Sequence, residues 1–474
     1  MQDPIADSPA PIRPPRKRML WWLGAGIVLV VLAVVGVVVR NMLGYRPIPH
    51  TRIALRSPAT NTTPEVSVPD AVEDWPAWRG PRGDGISREA GIVSEFPPGG
   101  PPQVWAADVG IGYSSPVAAG GRVYLFSLNE RKETLTAFDA ATGRIVWSDE
   151  SPSNWTGSYP GTRATPAIDG DSIYTYGGAG ELTRHDLASG QPRWRINVLA
   201  LTGSSNLSWG TASSPLVTKD AVYVQSGKGG AVAVAVRKDD GSVLWKSEAK
   251  GVGGYAHPIL VDVTGKPHLI VFGGKAVYAM DPATGKTLWQ QPWETSYDVN
   301  STTPVYREGH LFVTSEYNHG SMMLRLGTGD FSVAEKLWES KEIQGKFPGM
   351  VLDGDALYSN SAGTLKCMSW PDGKILWSAS DPKLRLGIGG SLVRFGGDKL
   401  LLMSDRGKLS IARATPAGIA LLSQADVLDA REVWSTPLLY AGRLYAKGDT
   451  EFVCFDMTGK AHAAQTQSSP SPGN

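Results

Sequence analysis

The chain has 474 residues, 42% apolar and 19% charged, with 55 Gly, 34 Pro and a formal net charge of +1. Such a composition supplies a large core and favours many short strands joined by tight turns over helices. The near-zero charge excludes the broad basic field through which proteins hold nucleic acid by releasing counterions.

The first element is apolar. Met19 to Val39 carries no charged residue, and at about 1.5 Å per residue it is long enough to cross the roughly 30 Å of a bilayer interior. Arg13, Arg16, Lys17 and Arg18 precede it, which keeps the amino end in the cytoplasm. Trp21 and Trp22 stand where an interfacial anchor belongs. The segment runs into Arg40, Asn41 and Met42 without a small-residue cleavage site, so an uncleaved signal anchor is expected. Residues 1–18 then read as a cytoplasmic tail, 19–39 as a transmembrane helix, and 40–73 as a flexible linker rich in Pro, Thr and Ser. The rest of the chain is expected on the periplasmic side of the cytoplasmic membrane, with 74–100 as a strap anchored by Trp75 and Trp78. Residues 461–474, rich in Gln, Ser and Pro, read as a disordered tail.

Between strap and tail one phrase recurs: a Gly, three residues, then a bulky apolar side chain. The instances are Gly143–Trp147, Gly190–Trp194, Gly241–Trp245, Gly285–Trp289, Gly373–Trp377 and Gly418–Leu422. Asp139, Asp186, Asp240, Asp281 and Asp372 precede the first five glycines. The units repeat about every 40 to 50 residues, the period of a four-stranded propeller blade. Each unit opens on a small polar residue before Pro, as in Ser114-Ser115-Pro116, Ala164-Thr165-Pro166 and Ser213-Ser214-Pro215; two further lead-ins, near Met350 and Ser391, lack the Pro. Counting lead-ins predicts an all-β fold, an eight-bladed propeller of four-stranded antiparallel blades over 101–460. The last blade lacks its outer strand, and Pro102 to Ala106, carrying Trp105, is predicted to supply it and close the ring. Cys367 and Cys454 fall at equivalent positions of separate blades, too far apart to bridge, and read as small buried side chains.

The segment Ala137-Phe138-Asp139-Ala140-Ala141-Thr142-Gly143-Arg144-Ile145-Val146-Trp147 resembles the defining repeat of the quinoprotein-like, or PQQ-like, propellers, and 278–289 matches it more closely. The opening Trp75-Pro76-Ala77-Trp78-Arg79-Gly80-Pro81 is similar to the start of membrane-tethered bacterial members. A more distant resemblance is to the propeller component of the outer-membrane β-barrel assembly complex. The resemblance implies two kinds of activity: periplasmic dehydrogenases holding pyrroloquinoline quinone and calcium in the central funnel, and cofactor-free docking bodies. The adjacent Cys pair that stacks over the quinone in many of these alcohol dehydrogenases, and the Cys-x-x-Cys-His haem site, are both missing here.

Inner-strand lead-ins and second-to-third-strand loops of a propeller open on one face, so distant residues converge there. The ligand-binding candidates on that face are Tyr113, Arg163, Trp209, His257 and Trp434. Arg163 suits a carboxylate and Trp209 suits stacking on a ring. Asp405 and Arg406 are loop candidates on the same face. Glu316, Asn318, Asp298 and Asn300, from one blade, offer the oxygen ligands calcium prefers, although such residues in turns commonly satisfy backbone groups instead. The leading expectation is a non-catalytic binding or scaffold module at the cell envelope, with an envelope protein or a small molecule as partner. The alternative is a pyrroloquinoline-quinone-dependent oxidoreductase acting on alcohols or sugars. Under it Glu316 and Asn300 would ligate calcium, Asp298 would act as base and Arg163 would meet the quinone carboxylates.

Overall fold

Eight antiparallel sheets of four or five strands, with a small ninth of Lys228–Ala231 and Lys250–Val252, follow one another along the chain in a computed structural model that describes residues 54–56, 72–327, 334–347 and 349–459. Seven blades are consecutive: residues 117–152, 167–197, 216–246, 259–292, 305–340, 350–378 and 391–426. The eighth takes Leu438–Tyr440, Arg443–Lys447 and Glu451–Asp456 from the carboxyl end, and Gln103–Asp108 from the amino end as its fourth strand. The predicted closing strand is thus in place. Its Trp105 stands opposite Cys454 and is almost wholly buried against Phe138, Tyr445 and Phe452. A short fifth strand, Ala54–Arg56, pairs outside it within the stretch read as a linker. The expected membrane span 19–39, the tail 1–18 and the terminal 461–474 lie outside the described residues. Among the described residues no helix is long and apolar enough to cross a membrane. Both cysteines are free and buried.

The repeated phrase has a physical meaning that spans two blades. Asp139 Oδ1 accepts the amide and hydroxyl of Thr142, at 2.9 and 2.7 Å, and so shapes the hairpin between the third and fourth strands. Gly143 follows with φ of 73°, backbone that a side chain resists. A Cβ there would also lie 2.5 Å from the ring of Trp105 in the preceding blade. The same contact joins Gly190 to Trp147, Gly241 to Trp194, Gly285 to Trp245 and Gly373 to Trp338. Each of these indoles donates Nε1–H to a carbonyl of the hairpin it covers: Trp147 to Leu187 (3.2 Å), Trp194 to Lys238 (3.0 Å), Trp245 to Pro282 (2.8 Å) and Trp338 to Pro371 (2.9 Å). The Gly of one blade therefore exists for the Trp of its neighbour. Blade 7 departs from the rule, because Gly418 is nearly extended with φ of 159° and the hairpin turns through Pro416 and Ala417. Pro416 fixes the turn without left-handed glycine, and Trp377 still reaches Thr415 O at 2.7 Å.

The lead-ins form a second interblade belt around the central channel. Thr436 N donates to Ser115 Oγ (2.8 Å), Ser115 N to Thr165 Oγ1 (3.1 Å) and Thr165 N to Ser214 Oγ (2.9 Å). The strap then crosses the channel on the hairpin face. Trp75 exchanges both backbone hydrogen bonds with Ala118, Arg79 Nη1 donates to Met350 O at 2.7 Å, and Ile86 lies beside Arg394. Glu89 receives the amides of Ala441 and Gly442, each at 2.8 Å. Trp78 points inward and donates Nε1–H to Thr303 Oγ1 at 2.8 Å. With this floor in place the channel becomes a funnel open at one end.

Candidate functional site

Above Trp78 lies a cavity of about 440 Å³. Tyr113, Arg163, Trp209, His257 and Trp434 all reach its wall, each carried there by a lead-in to a different blade's inner strand. Trp434 meets three other rings, Tyr113 at 4.8 Å, Phe347 at 4.9 Å and Tyr159 at 5.4 Å. Gly389 passes so close to Trp434 that no side chain would fit between them. Opposite this group, Trp209 packs edge-on against Tyr255 at 6.0 Å and Tyr297 at 6.2 Å.

Arg163 is committed to the wall. Its guanidinium lies over Tyr113 and Trp155, at 5.7 and 5.6 Å, and donates to the carbonyls of Gly161, Ser158 and Tyr159. Burial lowers its pKa to about 10, so it stays charged at neutral pH. His257 is pressed against Ser214 O through Nδ1 at 2.9 Å, and burial pushes its pKa down to about 4, leaving it neutral. Asp405 and Arg406 also line the cavity; burial raises the Asp405 carboxyl while the neighbouring Arg406 opposes that shift.

The oxygen-bearing candidates go elsewhere. Asn300 is fully buried: Nδ2 donates to Gly273 O, Gly274 O and Trp293 O, while Oδ1 accepts from Thr295 and Ser315. A side chain with its amide spent in this way holds the blade 4–5 connection together. Glu316 pairs with Lys346 at 2.8 Å. Asp298 sits off the cavity wall in the turn Ser296–Asp298, with Lys275 Nζ 3.9 Å away. Among the described residues no three His, Cys, Asp or Glu side chains gather closely enough to hold a metal ion.

Several lining residues escape a reading of lead-ins and polar loops: Tyr159, Tyr255, Tyr317, Lys346, Phe347, Arg431 and Glu432. All stand outside the strands, in irregular connections or turns. Bulky aromatics in loops otherwise made of small and polar residues were the one available signal.

A family model described as outer membrane protein assembly factor BamB matches residues 102–262, 209–379 and 275–472. The chain belongs to that family. Solved structures similar to this family member include BamB from Moraxella catarrhalis, with 16% identity and a TM-score of 0.53, covering 75% of this chain and 97% of that one. Quinohemoprotein alcohol dehydrogenase from Comamonas testosteroni is 14% identical with a TM-score of 0.57, covering 85% and 82%. The enzyme ADHIIG from Pseudomonas putida HK5 is 12% identical with a TM-score of 0.55, covering 81% and 80%. No curated protein matches the sequence. At these identities the likenesses establish a shared fold. The family thus includes a chain whose funnel does not fit the quinone–calcium pair through the residues first suited to it: Asn300 has no free oxygen, Glu316 is ion-paired, and Arg163 is held by backbone carbonyls.

Proposed function

We propose that this chain is a membrane-anchored, extracytoplasmic binding module whose funnel mouth is the docking face and which performs no chemistry of its own. The observation that carries the reading is the division of labour at the mouth. Asn300, Glu316 and His257 are spent on structural bonds, while aromatic rings stand open to solvent. Tyr159, Tyr297, Tyr317 and Ile388 are among the exposed large apolar side chains described; Tyr159, Tyr317 and Ile388 line the funnel and Tyr297 packs against the lining Trp209. Tyr and Trp are the residues that dominate protein docking surfaces, because they bury much area for little lost freedom. The uncharged span 19–39 after Arg13, Arg16, Lys17 and Arg18 supports a single-pass anchor with a cytoplasmic amino end. A relative named for outer membrane protein assembly supports an envelope protein as the partner. The oxidoreductase reading keeps only fold-level support.

Photo-crosslinking in intact cells tests this. A benzophenone side chain placed at Ile388, 40% exposed on the funnel wall, should trap a discrete protein adduct of the full-length chain. The same group at Leu376, 38% exposed on the outer strand of blade 6, should not. Equal labelling at both positions, or none at Ile388, overturns the assignment.

A further inference from the structure

Three tyrosines at the funnel mouth share a backbone conformation that tyrosine resists. Tyr159, Tyr297 and Tyr317 have φ of 57°, 66° and 60°, in three separate connections, and the residues are 40%, 70% and 37% exposed. Left-handed backbone is the territory of Gly and Asn, and a bulky side chain there is strained. Tyr297 and Tyr317 each stand immediately before a second left-handed residue, Asp298 and Asn318, in paired turns that favour Asn or Gly at the first position as well. Tyr317 packs under Lys346 Nζ, 5.1 Å from its ring, and against Tyr297, but Tyr297 itself stays 70% exposed. Strain kept at so exposed a site points to a role outside the fold.

The rings form a track. Tyr255 on the wall leads to Trp209 at 6.0 Å, Trp209 to Tyr297 at 6.2 Å, and Tyr297 to Tyr317 at 6.1 Å. A polyproline-type chain rises about 3.1 Å per residue, so one ring step spans two residues of such a chain. Of the four cationic side chains on the lining, Lys346 is paired with Glu316 and Arg163 is held by wall carbonyls, which leaves Arg406 and Arg431, beside Asp405 and Glu432, to meet a ligand. Arg431 is exposed. Trp78 closes the floor, so the occupant enters and stops rather than threading through.

We infer that the funnel mouth captures an extended, proline-bearing segment of a protein partner, with pyrrolidine rings on the Trp209–Tyr297–Tyr317 track and a carboxylate at the Arg406–Arg431 end. This rests on the binding-module reading and names its ligand chemistry. Proline suits such a track because its ring lies flat on an aromatic face and its chain is already extended, so little freedom is lost on docking. The carboxylate end sets direction, since arginine recognises it through paired N–H donors.

The test uses the full-length chain and a fluorescein-labelled ten-residue peptide that alternates proline and serine and ends in two aspartates. Fluorescence anisotropy should saturate, and a peptide ending in two lysines should bind at least tenfold more weakly. The double substitution Tyr297→Asn and Tyr317→Asn should weaken binding at least tenfold without lowering the melting temperature, because Asn accepts the left-handed backbone. Tyr297→Asn alone, at the most exposed of the three positions, should weaken it several-fold. Absent saturation, an unchanged affinity in the double variant, or equal binding of the lysine-ended peptide each overturns the inference. If the Ile388 adduct forms while the peptide fails, the binding module stands and the peptide track falls. If both fail, both fall.

Discussion

The hairpin face and the funnel mouth use the same unusual backbone for opposite ends. On the hairpin face the left-handed positions roofed by a neighbour's indole are glycines, Gly143, Gly190, Gly241, Gly285 and Gly373, whereas the unroofed turns of that face also carry Thr264, Glu308 and Ala441. At the mouth they include Tyr159, Tyr297 and Tyr317, which stay exposed. Where blades must fit one another, the sequence chooses the residue that carries no strain, and the contact recurs. Where the molecule faces outward, strain is tolerated and no blade copies its neighbour.

The largest effect should come from the ring closure on the hairpin side. Trp105→Ala removes a 2%-exposed indole from the blade built from both ends of the propeller sequence, and should cost about 3–5 kcal/mol in urea unfolding of the intact chain. A loss under about 1 kcal/mol would mean that the fourth strand of blade 8 does not hold the ring. Next comes Gly285→Ala. Its new Cβ would meet the Trp245 ring at 2.4 Å with φ still at 71°, for about 3 kcal/mol. Gly83→Ala, with φ of 66° but nothing within 4 Å, should cost only about 1 kcal/mol. Equal losses would show that backbone strain alone, not the interblade contact, dictates glycine.

A titratable group between blades 1 and 2 probes the comparison by pH. The Glu133 carboxyl is buried, accepts Gly178 N at 2.8 Å and Ser153 Oγ at 3.2 Å, and burial raises its pKa from 4.5 to about 7. The folded chain therefore holds its proton more tightly than the unfolded chain does. Its contribution is complete below pH 4.5 and is lost as pH rises through 7. Glu133→Gln, which keeps an acceptor for Gly178, should match the parent near pH 4 and exceed it by roughly 3 kcal/mol at pH 8. A parallel pH profile for the two proteins would place the proton elsewhere. The smallest effect belongs to the mouth: Tyr297→Asn should change stability by less than about 0.5 kcal/mol. A loss comparable to that of Gly285→Ala would make Tyr297 a packing residue and erase the contrast between the two faces.

Much of this was readable in advance. The Asp-to-Gly spacing gave the blades, and the orphan strand at Trp105 gave the closure, because both are local patterns with a fixed period. Tyr113, Arg163, Trp209, His257 and Trp434 could be placed on one face because lead-ins occupy a constant position in each blade. Asn300 could not be separated from a ligand by sequence, since its five hydrogen-bond partners come from residues 273–315 across two blades. Lys346 and Glu316 are likewise a pair only after folding.

The sequence by itself determined an eight-fold repeat, its closing strand and the face on which chemistry would gather, since periodicity and turn residues act over a few positions. Tertiary structure alone decided that the hairpin glycines Gly143, Gly190, Gly241, Gly285 and Gly373 each serve the preceding blade's tryptophan. It also decided that Trp78 of the strap floors the channel and that three loops raise tyrosines around one mouth. These features depend on segments tens to hundreds of residues apart being brought within a few ångströms, as Trp78 and Thr303 are at 2.8 Å. No local pattern encodes a distance of that kind. It is fixed only when the ring closes and the blades exclude water together.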